Sequence, residues 1–252
     1  MVVAAGASGI GLLAAPDSTD RYFSWTLRPP AAAALIGGFY LASAVVFAWG
    51  LMLPRRQARA LLVGVLGLAV PTLVLTLVHD EVFDFGRWQA LAWVALFVTA
   101  PVSATTLLVV LRTAEGETAR LPGWVRAVTG TLGAVLLAVA VLVWVDGTRD
   151  EVLRYSPVDL VRLTGTYLGA WCSFLGVLCG YTAVTGRWDE GRVAIVALGA
   201  AALGAGLAFL RLFDDVRHPE VALVVCAVLA GLALAMYRAG RPAGAAPRVT
   251  AG

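Results

Sequence analysis

Apolar residues run almost unbroken through seven stretches of the chain: Ala31–Leu53, Ala60–Val78, Trp88–Leu111, Ala127–Val145, Leu163–Val184, Val193–Leu210 and Val221–Tyr237. Nearly all the charge is gathered in the short segments between them. A helix of about 20 apolar residues crosses the roughly 30 Å of hydrocarbon in a bilayer, so each stretch predicts a transmembrane helix. The period-two alternation of a lipid-facing barrel strand is missing, and Ala, Leu, Val and Gly dominate the runs. The pattern therefore predicts an all-α fold, a polytopic membrane bundle of seven spans, with connections too short to carry a soluble domain.

Composition excludes the soluble classes. Of 252 residues 60% are hydrophobic and 14% charged, with a mean hydropathy of +0.84, whereas about a quarter of a soluble domain is charged. The charge that remains is asymmetric. One set of connections holds eleven arginines, among them Arg55, Arg59, Arg126, Arg187 and Arg192, against four carboxylates; the opposite set holds eight arginines and twelve carboxylates. Cytoplasmic loops keep the excess of positive charge, which predicts a multi-pass protein of the cell membrane with its amino terminus outside and its carboxyl terminus in the cytoplasm. The sequence pI of about 9.0 is explained by these short loops, so no nucleic-acid partner is implied. All 19 basic residues are arginine; without a lysine for a Schiff base, a seven-helix retinal protein is excluded. The three cysteines, Cys172, Cys179 and Cys226, fall within spans and have no zinc-binding spacing. No metal or other cofactor is expected.

Self-comparison suggests a duplication. Residues 30–52, "PAAAALIGGFYLASAVVFAWGLM", set without gaps over residues 157–179, "PVDLVRLTGTYLGAWCSFLGVLC", pair Pro30 with Pro157, Gly38 with Gly165, Tyr40 with Tyr167, Leu41 with Leu168, Phe47 with Phe174 and Leu51 with Leu178. Beyond a six-residue insertion Arg59 falls on Arg192. The whole chain then reads as one membrane domain: a three-helix unit over 30–111, a linking helix and loops over 112–156, a second three-helix unit in the same orientation over 157–238, and a cytoplasmic tail from 239 to 252. Upstream, "AAPDSTDRYFSWTLRPP" matches "VWVDGTRDEVLRYSP", which sets residues 1–15 against the end of the fourth span. They are too short to cross, and two readings stay open: a half-buried helix, or the remainder of a truncated eighth span. The expectation is a short helix against the outer half of the bundle, ended by Pro16, with Asp17 to Arg28 exposed.

The segments "DSTDRYFSWTLRPPAAAALIGGFY", "TLVHDEVF" and "WQALAWVALFVTAPV" resemble a group of uncharacterised multi-pass membrane proteins from actinobacteria. The resemblance covers most of the chain and implies topology and host lineage, with no substrate.

Two constellations carry candidate chemistry. The loop "LVHDEVFDFGRW" offers His79, Asp80, Asp84 and Arg87. It is either a solvated interface, with Arg87 pairing to Asp84, or a polar or metal site completed by Asp214, Asp215 and His218. Tyr40 and Tyr167 each lie ten residues past the proline expected to open a span, about 15 Å deep at 1.5 Å per residue, where they could line a shared ligand site or merely bond to neighbouring helices. Beside them Gly38 and Ala42, and Gly165 and Gly169, place small residues one turn apart, a helix-packing pattern. Asp159 and Arg162 can pair across one helical face. Pro71 and Pro101 interrupt two spans near Thr72, Thr76, Thr99, Ser103, Thr105 and Thr106, residues polar enough for a narrow lining. The leading functional reading is a small-solute carrier or binding bundle in the lipid bilayer. The alternative is a structural or accessory protein packing against a membrane-protein partner or its own copy. An enzyme is disfavoured, because no nucleophile and base pair appears.

In a background lacking Cys172, Cys179 and Cys226, Asp84→Cys is expected to react with a membrane-impermeant maleimide in intact cells and Glu115→Cys only after lysis. The reverse labelling contradicts the assigned orientation.

Overall fold

The computed structural model describes residues 1–111, 119–146, 156–158 and 160–241. Asp159 and the tail beyond Arg241 lie outside them. Nine α-helices are found among the described residues: α1 (Val2–Ala14), α2 (Thr19–Tyr22), α3 (Pro30–Gly50), α4 (Arg55–Val78), α5 (Trp88–Val110), α6 (Gly123–Asp146), α7 (Arg162–Thr185), α8 (Trp188–Arg211) and α9 (Pro219–Gly240). The helices α3 to α9 are long and apolar enough to cross a membrane, so the chain is an all-α multi-pass bundle. The one β feature among the described residues is a bridge between Arg120 and Arg187.

Local chemistry sets the helix ends. Pro30 and Pro219 stand in the first turns of α3 and α9, where a missing N–H costs nothing. Gly186 closes α7 in the left-handed region, at φ 62°. Arg126 reaches over from α6 to donate two hydrogen bonds, of 3.2 and 3.1 Å, to the carbonyl of Ala183 in that last turn. The helices α4 and α8 run several residues past their apolar stretches, taking Arg59 and Arg192 into the helix. Pro157 does not open a span as expected. Ser156 to Val158 form a bend, fixed where the Arg217 N–H donates to the Pro157 carbonyl at 2.7 Å, and α7 begins only at Arg162.

Packing divides the helices into a centre and a periphery. The main partners of α3 are α1 and α8, and those of α7 are α6 and α4; α8 also touches α7 and α4, α5 lies on α4, and α9 on α8. In the most apolar window of α3 72% of residues are buried, against 22% in α5, α6 and α9. The peripheral helices turn residues such as Val102, Leu142 and Val224 outward, as lipid-facing helices do. The tightest crossing is between α3 and α8. A Cβ on Gly38 would collide with the carbonyl of Gly204, and one on Gly204 with the carbonyl of Gly38.

The amino-terminal segment differs in part from expectation. Helix α1 ends before Pro16 and packs antiparallel on α3, with Leu12 over Gly37, Gly9 against Leu41 and Gly6 near Ala44. It therefore extends along α3 past its middle rather than staying in one half, because Gly9 and Gly37 allow the backbones to meet there. The segment Asp17 to Arg28 is not simply exposed. The Leu27 N–H donates to the Thr19 hydroxyl at 2.9 Å, and that hydroxyl donates back to the Leu27 carbonyl. This closes a loop that turns Phe23, Trp25 and Leu27 into the core. The loop is tied to α5 by the Ser24 hydroxyl, which donates to the Gln89 carbonyl, and by the Gln89 amide, which donates to the Arg21 carbonyl. The Tyr22 hydroxyl meets the carbonyls of Gly11 and Ala15 at the end of α1. Burial, and secondly Asp17, raise its pKa above the usual value.

Gly38→Leu is expected to destabilise the bundle by about 3 kcal/mol or more through overpacking of backbone against backbone. Gly231→Ala, whose added methyl meets nothing within 4 Å, should stay within about 0.5 kcal/mol of the parent. Thermal unfolding of both variants in detergent checks the pair.

Candidate functional site

One face of α3 carries Ile36, Tyr40, Ser43 and Phe47, and one face of α7 carries Leu163, Tyr167, Trp171, Phe174 and Leu178; all are buried. Spacings of three and four residues put each set on a single stripe. The stripes meet at the tyrosines, whose hydroxyl oxygens are 2.7 Å apart in a buried hydrogen bond. Tyr167 has no exposed surface. Ring centroids of Trp93, Trp25 and Trp171 lie 5.4, 5.5 and 6.3 Å from it, while Trp171 is 5.4 Å from Tyr40. Edge-on contacts dominate this aromatic box, as the ring quadrupoles favour.

Loops and α5 close the box. Phe83, from the His79 loop, packs 5.2 Å from Trp25. Trp93 donates its indole N–H to the Thr76 hydroxyl at 3.0 Å, and Thr76 donates to the Thr72 carbonyl at 2.8 Å. Beside the box a cavity of about 380 Å³ lies between α1 and α5, with α3 as its floor. Tyr40, Ser43, Trp93 and Trp171 form the inner wall, and Met1 and Trp88 stand on the rim, where both are exposed. No arginine, aspartate or glutamate lines it. A second, open cleft of about 800 Å³ is formed by Asp17, Asp20, Arg21, Arg28 and neighbouring loop residues; no buried unpartnered group lines it.

The His79 loop is a surface turn. His79 ends α4 and lies 3.6 Å from Glu81, which is exposed. The Glu81 carboxyl is held below its usual range, first by a hydrogen bond from its own backbone N–H, with Asp80 and His79 adding to the effect. Asp84 accepts the Gly86 N–H at 3.0 Å, and Arg87 bonds to Asp84 through its backbone N–H rather than its guanidinium. Among the described residues no group of His, Cys, Asp or Glu could hold a metal ion, so Asp214, Asp215 and His218 do not complete a site with His79 and Asp80. The buried contribution of this loop is Phe83.

Other sequence candidates also fall into place. Gly38 sits at the α8 crossing, Ala42 borders a small gap with Ala197 and Ala201, and Gly169 lies under the Trp144 ring of α6. Gly165 is buried in the first turn of α7 and donates its N–H to Val161. Thr99 and Thr106 donate to carbonyls of their own helix and, with Ser103 and Thr105, face outward, so these four hydroxyls form no polar lining. The expected partner of Arg162, Asp159, is outside the described residues.

Sequence reasoning passed over a polar cluster at the arginine-rich end. Arg192 bonds to Gln57 across α8 and α4 and lies 5.5 Å over the Trp49 ring. Glu190, 1% exposed, is 3.7 Å from Arg187 and keeps its second oxygen without a partner. A signal was present: Gln57 and Glu190 each stand two residues before the matched Arg59 and Arg192.

Comparison with protein families, with curated proteins and with solved structures finds no match for this chain.

Tyr40→Phe and Tyr167→Phe each strand a buried hydroxyl and are expected to cost about 1–2 kcal/mol. The double variant should cost less than the two together, with a coupling of about 1 kcal/mol. Additive losses in thermal unfolding would mean that the hydroxyls do not interact.

Proposed function

We propose that the bundle binds a small, largely apolar molecule in the cavity between α1 and α5. The observation that carries this reading is the cavity itself: about 380 Å³ of space walled by Trp93, Trp171, Phe47 and Phe97, with the Tyr40 and Ser43 hydroxyls as polar points. Small-molecule sites have this character, mostly apolar with few polar groups and a volume of about 300–1,000 Å³. Its rim lies on the lipid-facing side, so the ligand enters from the bilayer.

Two further readings belong with it. The pairing of α3 with α1 and α8 mirrors that of α7 with α6 and α4, which supports a duplicated architecture with parallel repeats and the tyrosine pair at the junction. The charge asymmetry supports placing the arginine-rich end in the cytoplasm; the cavity, which borders Tyr22 to Ser24 and the start of α5 and reaches Met1 and Phe47, then runs from the outer end of the bundle past its middle.

Ala92 also lines the cavity, and Ala92→Trp fills it. Mass spectrometry of extracts from the purified protein is expected to find an apolar molecule in near-stoichiometric amount with the parent and at least tenfold less with the filled variant. Equal amounts in both, or none in either, contradict the reading.

A further inference from the structure

Resting on that binding reading, we infer that the ligand carries a neutral hydrogen-bond-acceptor oxygen of the carbonyl kind, held by the Tyr40 hydroxyl. The cavity offers neutral hydrogen-bonding groups and no charged side chain. Among the described residues the buried polar atoms without a partner are few, and of them only the Trp171 indole N–H belongs to a residue lining this cavity. Trp171 is 2% exposed, and its ring lies 6.3 Å from that of Tyr167. An indole N–H only donates, whereas a phenol donates once and also accepts.

These capacities fix the direction of the chain of bonds. Tyr167 is enclosed by the rings of Trp25, Trp93 and Trp171. The Trp25 and Trp171 N–H groups make no hydrogen bond, and the Trp93 N–H is spent on Thr76. Among the described residues, the one hydrogen-bond partner of the Tyr167 hydroxyl is Tyr40. If Tyr40 donated to Tyr167, the Tyr167 proton would be left in an apolar box with no acceptor, a penalty of about 1–3 kcal/mol. The favourable order is therefore Tyr167 to Tyr40 and Tyr40 outward, the first donor strengthening the second.

Tyr40 lines the cavity and Tyr167 does not. Tyr40 makes no hydrogen bond to Ser43 on the same wall; its one side-chain partner is Tyr167. Its own O–H thus points into the cavity and needs an acceptor there. With no charged side chain lining the cavity beside Tyr40, a carboxylate or phosphate held there would be buried without a counter-charge. With no carboxylate, an amine would fare no better. A ketone, quinone or ester oxygen flanked by apolar groups satisfies the donor and fills the aromatic walls.

Benzophenone and diphenylmethane test this, since they share size and shape and differ by a carbonyl in place of a methylene. Binding to the protein in nanodiscs is measured calorimetrically and corrected for partition into empty nanodiscs. The expected result is benzophenone bound about fivefold or more tighter than diphenylmethane, the worth of one hydrogen bond. Tyr40→Phe should remove that preference and leave diphenylmethane unchanged, and Tyr167→Phe should keep it. Binding of neither probe overturns the cavity as a ligand site. Equal binding of both leaves the cavity a ligand site but overturns the acceptor requirement. A preference that survives Tyr40→Phe overturns the assignment to Tyr40. If either variant fails to fold, the probe pair on the parent protein still decides the acceptor requirement.

Discussion

Helices α3 and α8 meet backbone to backbone at Gly38 and Gly204, and the centre of the bundle is built around that contact. Lipid tails are as apolar as leucine, so no hydrophobic force brings helices together within a bilayer. Close packing and shared hydrogen bonds must do it. With glycine on both sides the helices interlock at one height and rotation, which leaves the Ile36–Tyr40–Ser43–Phe47 stripe facing α7. Two phenol groups that would each be costly alone then satisfy one another. Larger side chains at the crossing would push α3 outward, separate the hydroxyls and open the aromatic box.

The same geometry explains why space remains where it does. Helix α1 is held on α3 by the meeting of Gly9 and Gly37, while α5 is held on α4 and by the Ser24 and Gln89 bonds to the preceding loop. Neither arrangement draws α1 and α5 together, and the gap between them is floored by α3 and walled by rings too rigid to collapse into it. The cavity adjoins the buried tyrosine pair, in contrast to the charged turns at the acidic end, whose carboxylates are exposed.

Much of the fold was legible because membrane helices advertise themselves: unbroken apolar runs placed all seven long helices, with ends shifted by a few residues where backbone hydrogen bonding outlasts hydrophobicity. Tyr40 and Tyr167 were legible as a pair because self-comparison set them in register, although their direct bond was not. The buried loop was the least legible element. Phe23, Trp25 and Leu27 stand among Asp17, Asp20, Arg21 and Arg28, so local polarity suggested exposure, and only the reciprocal Thr19–Leu27 bonds turn the aromatics inward. The cavity had no sequence signal, since α1, α3, α4, α5 and α7 define it together with the segment Tyr22 to Ser24. The histidine loop attracted attention by composition, yet its structural role falls to Phe83, which a search for titratable groups passes over.

The central claim is that the tyrosine-centred box and the cavity beside it form one site. The most direct measurement is an experimental structure in lipid nanodiscs, prepared without added ligand, with density for side chains around α1, α3, α5 and α7. The Tyr40 and Tyr167 hydroxyls are expected within hydrogen-bond distance, with a compact, non-protein density between α1 and α5 touching the Tyr40 oxygen. Tyrosine hydroxyls held apart, or α1 and α5 packed together with the space closed, would contradict the claim.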